Sequence, residues 1–158
     1  METASLIVAI ISLIVAIIAL VRSDSAAKTA NQISYASIEL EMRRTISDSS
    51  DRVGDLSIQM RPLIAKRQGQ TLSPEEEAQL GALEQSFNAS IENYLNAYEE
   101  LCAKYIDGKI DKVRFRKSFA VEIRNLVERE SLRKHFDANT SRYRAILKVY
   151  HEWENLEK

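Results

Sequence analysis

From Thr3 to Val21 the chain carries no charge, and the stretch ASLIVAIISLIVAIIALV is isoleucine, leucine, valine and alanine broken by two serines. At 1.5 Å per residue this run spans roughly 28 Å, close to the hydrocarbon core of a bilayer at about 30 Å. The pattern predicts a transmembrane helix. A cleaved leader would show a basic start and a small-x-small exit, whereas Glu2 precedes this run and Ala19-Leu20-Val21 closes it. Within the run the small residues Ser5, Ala9, Ser12, Ala16 and Ala19 recur in steps of three and four, a heptad seam on one helix face. The rhythm continues through Ser23, Ala26, Ala30, Ile33, Ser37 and Leu40. Small residues on one face let helix backbones approach closely in lipid, and an average spacing of 3.5 favours a left-handed supercoil. A parallel homo-oligomeric stem is the expectation.

Beyond the stem, the polar cluster Thr45 to Asp51 predicts a break or a fresh helix start. Val53, Leu56, Met60, Leu63 and Ile64 then keep helical spacing, slackened by Pro62 and finished at Gly69. Ser73-Pro74-Glu75-Glu76 reads as a helix start, with a serine cap, proline in the first turn and glutamate placed for a capping box. The apolar series Leu80, Leu83, Phe87, Ile91, Tyr94, Tyr98, Leu101 and Tyr105 carries that helix to a stop at Asp107-Gly108. Asp111 starts another, with Phe115, Phe119, Ile123, Leu126 and Val127, running to about Glu130. A polar connection or short helical turn follows, and Asn139 or Thr140 is the expected cap of a last helix bearing Tyr143, Ile146, Leu147, Tyr150 and Trp153. No stretch alternates with period two for long enough to argue a strand.

The expected fold is therefore all-α: a transmembrane helix over residues 1–22, a helical stem over 23–47, and a cytoplasmic domain of about four helices over 48–158. Arg22, Lys28, Arg43 and Arg44 all follow the apolar run, so the positive-inside rule places the body in the cytoplasm, anchored by a single pass in the inner membrane.

Composition narrows the chemistry. One cysteine, Cys102, excludes a disulfide framework and a cysteine-cluster metal site, and two histidines, His135 and His151, leave little for zinc or di-iron. The four glycines form neither of the common phosphate-cradling loops. No metal and no cofactor is expected. Charge is uneven along the chain: residues 74–107 hold eight acids and one base, residues 108–148 five acids and twelve bases, in a chain of net charge −1. Two readings follow. In one, facing helices of opposite sign pack antiparallel with partly paired rims. In the other, Lys109, Lys112, Arg114, Arg116 and Lys117, with Arg124, Arg129, Arg133 and Lys134 beyond, form an anion site for nucleic acid, a cyclic nucleotide or lipid head groups.

The one catalytic spacing is Arg129-x5-His135, which resembles the R-x4-6-H signature of the helical ribonuclease domains called HEPN. The resemblance implies an arginine that stabilises phosphate charge and a histidine that moves protons, converging across a dimer. Glu130 stands where that family places a neutral polar residue, and Arg133 lies inside the motif. The stretch from Asn93 to Asp111, the segment Phe119 to Val127 and the closing run Tyr143 to Trp153 resemble a group of bacterial membrane-anchored helical proteins of uncharacterised role. That likeness implies an N-terminal membrane helix and a helical cytoplasmic domain, and it brings no catalytic residues. The layout is also similar to small membrane accessory or effector proteins of CRISPR and other antiphage systems, some with degenerate HEPN-like domains and membrane rings.

The leading expectation is thus a non-enzymatic membrane protein that self-associates through its stem and senses or binds through its helical domain, its output in a defence setting being a pore. Its partners would be membrane lipid, further copies of itself, nucleic acid or a cyclic nucleotide at the basic block, and a protein encoded in the same operon. The alternatives are a membrane-tethered ribonuclease using Arg129 and His135, and a passive scaffold.

Overall fold

The structure is a computed structural model describing residues 2–137 and 139–155, with the side chains of residues 2–12, 14 and 15 outside the described set. All its regular elements are helical. They are α1 (Glu2–Gly69), α2 (Pro74–Ile106), α3 (Lys112–Glu128), a short 3₁₀ helix (Glu130–His135) and α4 (Arg144–Asn155). The all-α expectation holds. The chain divides into two compact units, Met1–Ser37 and Ile38–Lys158.

Among the described residues no helix is long and apolar enough to cross a membrane. Most side chains of the apolar run 3–21 lie outside the described residues, as do the seam positions Ser5, Ala9 and Ser12. In the first unit the described seam positions Ala16, Ala19, Ser23, Ala26, Ala30, Ile33 and Ser37 are all exposed.

The break expected at Thr45–Asp51 does not occur, and the helix expected from Val53 is the last part of α1. Local polar groups that could have ended the helix are used within it: Thr45 Oγ1 donates to the Glu41 carbonyl at 3.1 Å, and Arg44 faces Asp48 one turn on at 4.0 Å. Packing then favours continuation, because Met42 and Ile46 before the cluster and Leu56 and Met60 after it are all buried. Pro62 is accommodated inside the helix, which ends at Gly69 as its sequence suggests.

The start of α2 follows its sequence closely. Ser73 Oγ accepts from the Glu76 N–H at 3.3 Å, while Glu76 Oε2 accepts from the Ser73 N–H at 2.9 Å. Glu76 also receives Lys66 of α1 at 2.6 Å, so one carboxylate both caps α2 and holds the hairpin. Under it Met60, Leu72 and Leu80 form a small separate core. At the other end Gly108 has φ +68°, a left-handed position that its lack of a Cβ makes easy. The Lys109 N–H then reaches back to the Lys104 carbonyl at 2.9 Å and closes the helix. Asp111 caps α3 through the Arg114 N–H at 2.9 Å.

The principal core lies among α1, α2, α3 and α4, with Leu101, Cys102, Tyr105, Phe115, Phe119, Ile123, Ile146, Val149 and Trp153 at its centre. Full burial of each large apolar side chain contributes about 1.5–3 kcal/mol before chain entropy is set against it. Of the α4 positions expected to point inward, Tyr143, Ile146 and Trp153 do; Val149 joins them, while Leu147 and Tyr150 sit at the core's edge.

The start of α4 departs from expectation. Asn139 and Thr140 do not cap it: their N–H groups turn onto Asp137 Oδ1, both at 3.0 Å, and the helix begins only at Arg144. Its first-turn donors are met from another helix, where Glu99 of α2 accepts from the Ala145 N–H at 2.9 Å and the Ile146 N–H at 3.0 Å. A carboxylate aimed at a helix N-terminus satisfies its orphan donors and its dipole together. Replacement Glu99→Ala is expected to lower stability by about 1–2 kcal/mol, with Glu99→Gln losing less; thermal denaturation followed by circular dichroism measures both, and an unchanged midpoint for the alanine variant contradicts the capping role.

Candidate anion-binding face of the third helix

Helix α3 is built with two unlike faces. Phe115, Phe119, Ile123 and Leu126 turn inward and are buried, while Val113, Lys117 and Val121 recur four apart on the outside. Val113 and Val121 are 69% and 68% exposed. Next to that stripe lies an open groove of about 520 Å³ lined by Tyr105, Lys112, Val113, Arg116, Lys117 and Ala120. Lys112 Nζ lies 4.9 Å from the centre of the Tyr105 ring, a cation–π contact that sets the ammonium at the groove wall. The Tyr105 hydroxyl itself turns away, donating to Glu152 Oε1 at 2.6 Å and accepting from Trp153 Nε1 at 3.2 Å. Burial pushes that phenol above its ordinary range, and the Glu152 bond adds to the effect.

The basic block read from the sequence is divided by the fold. Lys109 pairs with Asp107 at 3.3 Å, Arg124 with Glu154 at 3.0 Å and Arg133 with Glu130 at 3.6 Å. Arg114 reaches Glu39 of α1 at 3.0 Å. Lys112, Arg116 and Lys117 converge on the groove, and neither lysine has an ion pair among the described residues. Lys134 lies elsewhere, on a small cavity beside the 3₁₀ helix, and Arg129 is exposed at the end of α3.

The acids of α2 find their partners largely away from α3: Glu76 with Lys66, Glu84 with Arg67, Glu100 with Lys104 and Glu92 with Arg142. Among the described residues these ion pairs run to α1, within α2 and to Arg142, and α4 packs against both α2 and α3. What joins α2 to α3 directly includes Tyr98 Oη donating to Glu122 at 3.1 Å and the Tyr105–Phe115 ring contact at 5.2 Å.

Glu39 was not singled out by the sequence. It is only 6% exposed, yet it carries a carboxylate that meets Arg114 at 3.0 Å and Arg43 at 3.5 Å. The Arg43 guanidinium lies 4.3 Å above the Phe119 ring. An acid at a core-facing position between Ile38 and Met42 was the available signal, since a buried carboxylate requires a partner.

Arg129 and His135 do not share a described cavity. His135 lines a space of about 100 Å³ with Phe87, Asn88, Ile91, Ser131, Leu132 and Lys134, from which Arg129 is missing. Its ring stands edge-on to Tyr143, with centroids 6.1 Å apart. Burial holds the imidazole below its ordinary pKa, helped by Lys134 and Arg142 and opposed by Glu92. Burial also pushes the Cys102 thiol far up, so it is a core atom and a poor nucleophile at neutral pH. Among the described residues no cluster of histidine, cysteine, aspartate and glutamate could hold a metal ion.

Compared with known protein families, curated proteins and solved structures, the chain matches none.

The depressed histidine fixes the sign of a pH effect. As pH falls through 6.5, the ordinary value, the unfolded chain takes up the proton at His135 before the folded one does, so stability is full above that value and declines below it. Thermal midpoints measured between about pH 7.5 and about pH 5.5 are expected to fall, and His135→Gln should flatten that part of the curve. The further loss in stronger acid, where the depressed carboxyls of Glu76 and Asp137 protonate, should persist in the variant. Superimposable wild-type and variant curves contradict the assignment.

Proposed function

We propose that this chain is a single-pass inner-membrane protein with a cytoplasmic helical domain, which self-associates along its first helix and acts as a binding or sensing module rather than an enzyme. The apolar run 3–21 supports the anchor. The observation that carries self-association is the heptad spacing of small side chains along α1, which lie exposed wherever they are described. Ile33 and Leu40 are 66% and 71% exposed, and Ser23, Ala26, Ala30 and Ser37 of the same heptad seam are exposed with them. In the second unit Glu39, Met42 and Ile46 of α1 are buried while Leu40 is not, so the fold of that unit uses a different face of the helix. Small side chains at heptad spacing in the first unit suit contact with further copies. In a defence setting the assembled stems would act on the membrane as a pore.

Within one chain Arg129 stands exposed while His135 faces a cavity that Arg129 does not line, so a ribonuclease would have to bring the two together between copies. A labelled RNA incubated with the full chain is expected to remain intact; cleavage that His135→Ala abolishes would establish the ribonuclease instead.

Self-association is checked by native mass spectrometry of the detergent-solubilised full chain. Wild type is expected as a defined oligomer, and the Ala9→Leu, Ala16→Leu double variant as smaller species, because bulky side chains part the backbones along the seam. A wild-type chain that is strictly monomeric at micromolar concentration overturns the proposal.

A further inference from the structure

We infer that the groove on α3 is a binding site for a small organic phosphate, a dianionic phosphoryl group carried on an apolar ring system of about nucleotide size. The inference supplies a ligand class for the sensing role proposed above. Three features of the groove carry it.

The first is charge that the fold leaves available. Lys112 and Lys117 reach the groove without an ion pair among the described residues. Two ammonium groups within two turns of one helix suit a ligand with more than one negative charge, and a phosphate monoester is close to dianionic at neutral pH. The second is the wall between the cations, made of Tyr105, Val113 and Ala120. A bare inorganic anion would gain nothing from those surfaces, whereas a ring system would exclude water from them. The third is size. A volume of about 520 Å³ lies within the range of small-molecule pockets. The helix from Val113 to Ala120 is roughly 10 Å long at 1.5 Å per residue, which suits a ligand of nucleotide length.

The same geometry argues against a polymer. A nucleic-acid strand needs cations spaced along a track, and the basic residues on either side of the groove are engaged: Lys109 by Asp107, Arg114 by Glu39 and Arg124 by Glu154. At the groove Lys112 and Lys117 stand close together, with apolar surface alongside.

The test uses the full chain in non-ionic detergent, titrated in a calorimeter with three probes: adenosine monophosphate, phenyl phosphate and inorganic phosphate. Adenosine monophosphate and phenyl phosphate are expected to bind saturably, with inorganic phosphate weaker by roughly tenfold or more. Raising salt from about 50 mM to about 300 mM should weaken binding several-fold by screening. The Lys112→Gln, Lys117→Gln double variant should lose about tenfold or more in affinity, while Arg133→Gln, Lys134→Gln, remote from the groove, should bind as wild type. Because all four lysines and arginines changed are exposed, circular dichroism should show both variants folded. No binding by the two organic phosphates overturns the inference, as do equal affinity for inorganic phosphate, equal losses in both variants, or preferential binding of an RNA oligonucleotide over adenosine monophosphate. Binding is scored on whatever species the mass spectrum shows, so a monomeric chain that binds refutes self-association alone, and an oligomer that fails to bind refutes the ligand alone.

Discussion

Tyr105, Phe115 and Trp153 meet at one corner of the principal core, and the arrangement of α2, α3 and α4 depends on that meeting. Tyr105 and Trp153 stand edge to face with centroids 5.6 Å apart, Phe115 is 5.2 Å from Tyr105 and 5.6 Å from Trp153, and the indole N–H donates to the tyrosine hydroxyl at 3.2 Å. Aromatic pairs in these geometries add about 0.5–1.5 kcal/mol each beyond the area they bury. The turn at Asp107-Gly108 is too short to separate α2 from α3, so the corner fixes how the second helix leaves the first. With Phe115 and Phe119 committed inward, at a ring separation of 4.8 Å, helical geometry leaves Val113, Lys117 and Val121 on the outside. The exposed face of α3 is thus a consequence of how its inner face is packed.

Carboxylates do the joining that apolar contacts alone leave unspecified. Glu99 of α2 fixes the first turn of α4, Glu39 of α1 fixes the first turn of α3, and Glu76 fixes both sides of the α1–α2 hairpin. Apolar faces pack with some freedom of sliding and rotation, whereas carboxylates accepting directed hydrogen bonds, as Glu99 and Glu76 do, tolerate little of either, and Glu39 adds ion pairs. Arg43 and Arg114 remain substantially exposed, so their pairing with Glu39 adds less stability than a fully buried pair would lose on breaking. Its effect is chiefly on register between α1 and α3.

What the sequence disclosed and what it concealed divide along the same line. Ser73 with Glu76, Asp107 with Gly108, and Asp111 are signals confined to four or five consecutive residues, and each acts in the structure as its local chemistry dictates. The inner faces of α2 and α3 were legible because a 3.6-residue period is a property of one helix alone. The Thr45–Asp51 cluster misled because the competing term, burial of Met42, Ile46, Leu56 and Met60, comes from other helices. The cap of α4 was missed for a similar reason: its acceptor lies 46 residues earlier in the chain. Likewise the basic block could be counted in the sequence, but which cations would be engaged depends on Glu39 and Glu154, and neither position follows from local spacing.

That partition of charge has a structural origin. Residues 74–107 and 108–148 carry opposite charge, and an antiparallel pair of such helices would cancel much of it. Packing of α4 against both α2 and α3 redirects this pairing, so the acids of α2 turn to Lys66, Arg67, Lys104 and Arg142. Lys112 and Lys117 on α3 are left without an ion pair among the described residues. A surface that served stability alone would place acids beside Lys112 and Lys117, as the chain does beside Lys109 and Arg133. Val113 and Val121 stand in the places where such acids could sit, so that exposed apolar side chains rather than carboxylates border the two ammonium groups.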